Sequence, residues 1–318
     1  MFGKTKNKLS YFIAFIFLFN LSCLGILLNT PCTKAEKSIT AENWMSKVGG
    51  NTKVLSLNIP GTHESATYKM PPVLDIITSC QSSSIDDQLN RGIRYLDIRL
   101  KEDMLVHHGG IPCYKKLLIK KLYFKDILDD IKAFLQKNNT ETVILQIKPE
   151  NCKGNDFEKN LEKSLSQEDI KNIIFKSDKD ISEVNLDEAR GKIILVIRDA
   201  DTDGAYRFRG WADDCEFCIM KLGETKILLE DAYTKKSCSA KTKTVKNFYS
   251  ECWEQENKGK PIICGVSCIG PYCPKLVASS INKEFKKFIS ENKDKFLGIT
   301  LMDNPSDDLI SLIYNRNL

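Results

Sequence analysis

Three features of the 318-residue sequence predict an α/β fold, a single distorted TIM-type (β/α) barrel rich in disulfides. Short apolar runs with many β-branched residues alternate with amphipathic helical patterns, which implies a parallel sheet closed or covered by helices. Many of those runs end in polar, chemically capable residues, and a barrel gathers its active site at such strand ends; a doubly wound sheet would concentrate them at one switch point. Cysteine is abundant, at 12 residues.

At the N-terminus, Lys4, Lys6 and Lys8 precede a nearly uncharged apolar stretch over 9–28, followed by Asn29, Thr30 and Pro31. This is a secretory signal pattern, with cleavage expected near Ala35 and the catalytic barrel expected over 36–318. The long apolar core keeps an uncleaved membrane anchor open as the rival reading, although Asn20 and Ser22 weaken a spanning helix. Loss of residues 1–35 removes four lysines and no acids, taking the net charge from +5 to about +1. A nearly neutral mature chain argues against nucleic acid as a partner, because that binding runs on phosphate neutralisation.

Beyond that segment no internal repeat, low-complexity tract or Pro/Gly/Ser linker divides the chain, and one domain is expected. Strands are predicted over 54–59, 95–100, 104–108, 142–148, 192–198, 227–233, 262–266 and 298–302, and helices over 124–137, 158–165 and 281–292. The residues closing these strands are His63 and Glu64, Asp97 and Arg99, Lys148 and Glu150, Arg198, Asp231 and Tyr233, and Asp303.

The ten cysteines from Cys80 onward (Cys80, Cys113, Cys152, Cys215, Cys218, Cys238, Cys252, Cys264, Cys268, Cys273) form an even set. Behind a signal segment they read as an oxidised framework. The Cys215-Glu216-Phe217-Cys218 spacing with Cys264, Cys268 and Cys273 also suits zinc, which the secretory context disfavours. Asn138-Asn139-Thr140 is a glycosylation sequon, of consequence only in a eukaryotic host.

The chain has only three histidines, His63, His107 and His108. Strand alternation lets one of the adjacent pair enter a given pocket, and His108 is the candidate. Asp97 and Arg99, two apart on a strand, share a face, where burial is costly unless they pair or bind something.

These residues sit in a longer ordered pattern. The segments Ile59-Pro60-Gly61-Thr62-His63-Glu64-Ser65, Gln88-Leu89-Asn90-Arg91-Gly92-Ile93-Arg94-Tyr95-Leu96-Asp97-Ile98-Arg99, His107-His108-Gly109 and Glu188-Ala189-Arg190-Gly191-Lys192 resemble the X domain of bacterial-type phosphatidylinositol-specific phospholipase C. The resemblance is densest over 54–150, returns at 187–198, 227–233 and Asp303, and leaves the cysteine-rich stretch 212–274 unexplained. It implies cleavage of phosphatidylinositol to diacylglycerol and inositol 1,2-cyclic phosphate, with glycosylphosphatidylinositol-anchored proteins as a further substrate class.

Carried over by position, the resemblance makes His63 the general base, His108 the general acid and Arg99 the phosphate ligand. Asp303 orients the base, Asp97 flanks the arginine, and Lys148, Arg198, Asp231, Tyr233 and, more weakly, Glu150 hold the inositol ring. The family places Asp where this chain has Glu64, as partner of the general acid. That departure keeps a second reading open: a barrel that grips inositol headgroups without turnover. Two imidazoles suit base and acid roles near neutral pH, and a bidentate guanidinium answers charge on the phosphate oxygens. Calcium-dependent relatives carry oxygen ligands where this chain has Arg99 and Lys148, so catalysis without metal or cofactor is expected. The expected partner is a phosphatidylinositol-containing membrane surface, met by a monomer. Val73, Leu74, Ile76 and Ile77, in an apolar stretch just after the first motif, are the candidate lipid contacts.

Overall fold

The computed structural model describes residues 40–152, 156–234, 237–269 and 274–318; the signal segment expected over 1–35 and Cys273 lie outside the described residues. The strands of the first half are β1 (Ile59–Thr62), β2 (Tyr95–Leu100), β3 (His107–His108), β4 (Ile111–Pro112), β5 (Tyr114–Lys116), β6 (Lys120–Lys121) and β7 (Val143–Pro149). Those of the second half are β8 (Ile193–Ile197), β9 (Tyr206–Arg209), β10 (Cys218–Leu222), β11 (Thr225–Glu230), β12 (Ile262–Gly265) and β13 (Ile299–Met302). A closed barrel runs β1-β13-β12-β11-β10-β9-β8-β7-β2, while β3 with β4 and β5 with β6 form two small hairpins outside it. The predicted barrel is therefore present.

Its distortion has a local cause. Every neighbouring pair of barrel strands is parallel except those made by β10, which runs antiparallel to both β9 and β11. Only Gly223 and Glu224 separate the paired Leu222 and Thr225, and Gly223 has φ 62, so a tight hairpin stands where a crossover helix would otherwise fit. Around the rest of the barrel, helices such as Phe124–Lys137, Asp156–Leu165 and Pro274–Glu291 cover the sheet. With both faces covered, β8 is buried throughout and reads as a continuous apolar run.

Two predicted strands shift. Residues 54–56 form a 3₁₀ turn, and the strand begins at Ile59. Pro60 and Gly61 look unlike strand residues, yet a Cβ on Gly61 would lie 2.9 Å from the side chains of both Leu301 and Tyr95. Only glycine lets the barrel close there. Of 104–108, His107 and His108 form a strand paired with Ile111–Pro112 outside the barrel sheet, while Leu105 and Val106 make only isolated bridges, to Tyr123 and Leu100.

The disulfide framework reduces to one bridge among the described residues, Cys215 to Cys218. Cys80, Cys113, Cys152, Cys238, Cys252 and Cys264 are free thiols. Cys80, Cys113, Cys252 and Cys264 are buried, where they serve as small core side chains rather than crosslinks. Asn138 is 2% exposed, which removes the sequon from the surface.

Arg94 and Arg190, both inside the motifs that carry the resemblance, are latches beneath the barrel. Fully buried Arg94 pairs with Glu141 (2.9 Å) and donates to the carbonyls of Leu89, Ile93, Ala41 and Glu42. Arg190 donates to the carbonyls of Met45, Val48 and Thr140. Together they fasten the segment Ala41–Lys47 to the strand starts. Arg94→Met leaves the Glu141 carboxylate buried without its partner and should cost about 3–5 kcal/mol in urea unfolding. A loss under about 1 kcal/mol would contradict the latch.

Candidate active site

The parallel strands deliver their C-terminal ends to one rim, and the functional side chains follow. His63 and Glu64 come directly after β1, Arg99 from the end of β2, Lys148 and Glu150 from β7 and its exit, Arg198 after β8, Asp231 and Tyr233 after β11, and Asp303 after β13. A cavity of about 230 Å³ is lined by His63, Glu64, Arg99, His108, Lys148, Glu150, Arg198, Asp231 and Tyr233, together with Gly109, Asp213, Cys268 and Ile269. Asp97 and Asp303, 1% and 2% exposed, stand behind this lining and act through their neighbours.

His63 Nδ1 lies 2.9 Å from Asp303 Oδ1. With Nδ1–H donated to that carboxylate, Nε2 is left with its lone pair as a base. Burial pulls the imidazole down, but Asp303, aided by Glu64 and Asp97, outweighs it and pushes the pKa up to about 8. Gln81 braces the pair: its Nε2 donates to the carbonyls of His63 (2.7 Å) and Met302 (2.9 Å), and its Oε1 accepts from the Asn304 amide (3.1 Å).

Arg99 is gripped by two carboxylates. Its Nε and one terminal nitrogen donate to Asp97 (3.2 and 3.1 Å), and the other terminal nitrogen lies 3.1 Å from Glu64. A guanidinium has five N–H donors; two are bonded to Asp97, and the other three, on the terminal nitrogens, are not hydrogen-bonded among the described residues, although one of those nitrogens is ion-paired with Glu64. Burial pushes the Asp97 carboxyl up, yet Arg99 and then His63 outweigh it and hold it well below the usual carboxylate range. Asp97 also accepts from Gln146 Nε2 at 2.6 Å, which fixes the whole fork.

Across the cavity, burial and then the nearby Arg198 and Arg99 push the Lys148 ammonium down. Arg198 stacks 3.8 Å from the Trp211 ring centroid and pairs with Asp213 at 2.8 Å. Trp211 Nε1 in turn donates to Asp231 (2.7 Å), whose carboxyl burial pushes up. A wall of alternating cations and carboxylates suits a polyol bearing a phosphate, since hydroxyls satisfy donors and acceptors together.

Comparison with known proteins meets this geometry. Residues 57–199 match the family model of phosphatidylinositol-specific phospholipase C, X domain. Over that stretch the chain is similar to this family. It is 26% identical over 322 residues to the 1-phosphatidylinositol phosphodiesterase of Listeria monocytogenes, covering 99% of this chain and 97% of that protein. The corresponding Staphylococcus aureus enzyme is 26% identical over 311 residues, covering 88% and 95%. Among solved structures, a phosphatidylinositol-specific phospholipase C of S. aureus aligns with a TM-score of 0.76 at 25% identity, over 88% of this chain and 98% of that one. The L. monocytogenes phospholipase C aligns with a TM-score of 0.73 at 24% identity, over 88% and 100%.

One expected assignment needs correction. Glu64, expected to partner His108, bonds instead to Arg99, and the buried Nδ1 of His108 has no partner among the described residues. Glu64 has a left-handed backbone (φ 45), and its side chain reaches the guanidinium. Trp211 and Asp213 are functional candidates that the motifs miss, because they fall between the expected ring-binding positions 198 and 231 on the unexplained stretch. The available signal was one of only three tryptophans beside a pair of acids. His107 stays outside the cavity lining, so one histidine of the pair enters. The apolar stretch after the first motif is a helix, Pro72–Thr78, with Ile76 and Ile77 half exposed and Leu74 partly buried; the side chain of Val73 lies outside the described residues.

Proposed function

We propose that this chain is a secreted phosphatidylinositol diacylglycerol-lyase that needs no metal ion, and that it also accepts glycosylphosphatidylinositol anchors. The observation that carries the reading is the Asp303-backed His63 sharing one cavity with His108 and the doubly anchored Arg99. His63 Nε2 takes the proton of the inositol 2-hydroxyl as that oxygen attacks phosphorus. His108 gives a proton to the departing diacylglycerol oxygen. Charge accumulating on the non-bridging oxygens is met by the terminal N–H groups of Arg99 that Asp97 does not use. Lys148, Arg198, Asp231, Tyr233 and Glu150 hold the ring, with Asp213 and Trp211 setting the Arg198 plane. Secretion is supported by the basic-then-apolar N-terminus, and no helix among the described residues is long and apolar enough to cross a membrane. The enzyme works as a monomer whose barrel mouth meets the lipid surface.

A cation fixed at Arg99 between Asp97 and Glu64 occupies the charge role that a divalent ion would fill, and those carboxylates are committed to it. The direct test is release of cyclic inositol phosphate from phosphatidylinositol vesicles beside a glycosylphosphatidylinositol-anchored reporter. The second reading, headgroup binding without turnover, draws on the unpartnered Nδ1 of His108. Tight vesicle binding with no cyclic product would favour it.

The His63 pKa of about 8 sets the pH behaviour. As the base must be neutral, kcat/KM should rise with pH through that value. The folding contribution of the His63–Asp303 pair runs the other way: it is complete below about pH 6.5 and lost as pH climbs through about 8. Asp303→Asn removes the main group holding the pKa up, so the ascending limb should move to lower pH while the plateau falls about a hundredfold. A limb that stays in place would remove Asp303 from this role.

A further inference from the structure

We propose that the hairpin Tyr114–Lys121 is a second membrane foot, steered to anionic bilayers, beside the catalytic mouth. This rests on the lyase reading above, which requires the mouth to reach lipid. Its sequence is Lys115-Lys116-Leu117-Leu118-Ile119-Lys120-Lys121, an apolar triplet between two pairs of lysines. β5 and β6 pair antiparallel, and the Ile119 amide donates to the Lys116 carbonyl at 2.9 Å across the turn. Leu117, Leu118 and Ile119 are 41%, 61% and 73% exposed. Ordinary folding does not explain three consecutive large apolar side chains in water.

The backbone sharpens the point. Leu118 sits at φ 56, the left-handed position of a tight turn where glycine or asparagine is at ease. A branched, water-exposed side chain at a strained position stabilises neither the turn nor the core, so its use lies outside the folded monomer.

Location and charge name the occupant. The hairpin belongs to the connection between β2 and the helix Phe124–Lys137, which also carries His108 and therefore lies on the rim of the catalytic mouth. Its root is tied to the β1 connection: the Tyr114 amide donates to the Lys69 carbonyl (3.0 Å), and Lys69 Nζ donates to the Lys115 carbonyl (3.1 Å). That neighbouring connection holds Ile76 and Ile77, themselves half exposed. Lys115 and Lys120 are answered by Asp126 (2.9 and 3.3 Å), whereas exposed Lys116 and Lys121 have no carboxylate partner among the described residues. An apolar tip flanked by two uncompensated ammonium groups matches an acyl boundary beneath anionic headgroups.

The test compares sedimentation of the full chain with vesicles of phosphatidylcholine alone and of phosphatidylcholine with phosphatidylglycerol. Leu118→Gly with Ile119→Ser should weaken binding to the mixed vesicles about tenfold. Glycine suits the left-handed turn, so thermal stability should hold or rise, and cleavage of a short-chain monomeric phosphatidylinositol should be unchanged. Lys116→Gln with Lys121→Gln should weaken mixed-vesicle binding by about fivefold per lysine and leave phosphatidylcholine binding alone. Unchanged vesicle binding in the apolar variant overturns the proposal, as does loss of a dimer in its place. A wild-type chain that cleaves no phosphatidylinositol yet loses vesicle binding in the variant keeps the foot and defeats the lyase reading.

Discussion

Replacement of His63 by alanine should lower formation of cyclic inositol phosphate by about 10⁴-fold, with KM for the lipid changed little. The 2.9 Å bond to Asp303 fixes one tautomer of His63 and aims the other ring nitrogen into the cavity. Among the described groups lining the cavity, His63 alone is an imidazole hydrogen-bonded to a carboxylate: burial pushes Asp231 and Glu150 up, with Glu64 adding to the rise at Glu150, but both are carboxyls without that pairing, and His108 Nδ1 has no partner among the described residues. Because base and orienting carboxylate act as one unit, the double variant His63→Ala, Asp303→Asn should be no slower than His63→Ala alone. Multiplying losses would show that Asp303 works independently of the imidazole.

Arg99→Lys should reduce kcat by about 10³-fold, and added calcium should not restore it. Lysine keeps the charge but cannot hold Asp97 with two nitrogens, ion-pair with Glu64 through a third and still present N–H groups to a phosphate. The contacts at 3.2, 3.1 and 3.1 Å show how completely the fork is used. Thermal unfolding should place the variant within about 2 kcal/mol of the parent, since both buried carboxylates retain a cation nearby. A loss of activity smaller than tenfold would mean that a point charge suffices, and the bidentate role would fall.

Much of this site is legible before any coordinates, and for physical reasons. The spacing of Asp97 and Arg99 by two in an apolar strand already puts them side by side, and β7 and β8 announce themselves as buried apolar runs whose exits carry Lys148 and Arg198. What stays hidden is tertiary. In β9, Tyr206–Arg209, one residue of four is buried, so its period is too short and too polar to read. The reversal at β10 is decided by a two-residue loop, and its one cue, Gly223, sits in a stretch that the motifs do not reach. Arg94 stands in the same motif as Arg99, yet one is a latch beneath the barrel and the other lines the cavity at its mouth; only the strand's direction separates them.

The cysteines teach the same lesson in reverse. Composition and a signal segment argue for crosslinks, but a disulfide needs two Cα atoms within about 7 Å with their Cβ atoms facing, which counting cannot supply. Here that condition is met by Cys215 and Cys218, while Cys80 and Cys264 are used as core side chains. The Glu64 reassignment has a comparable origin: sequence position places it beside a histidine, and the left-handed turn delivers it to Arg99.

Phosphorus NMR of phosphatidylinositol vesicles treated with the purified enzyme in excess chelator tests the convergence of base, acid and guanidinium on one phosphate most directly. The expected result is a five-membered cyclic phosphate resonance that grows in before any inositol monoester and is absent with His63→Ala. Product that forms only after calcium is restored, or monoester arising with no cyclic species before it, would contradict the account.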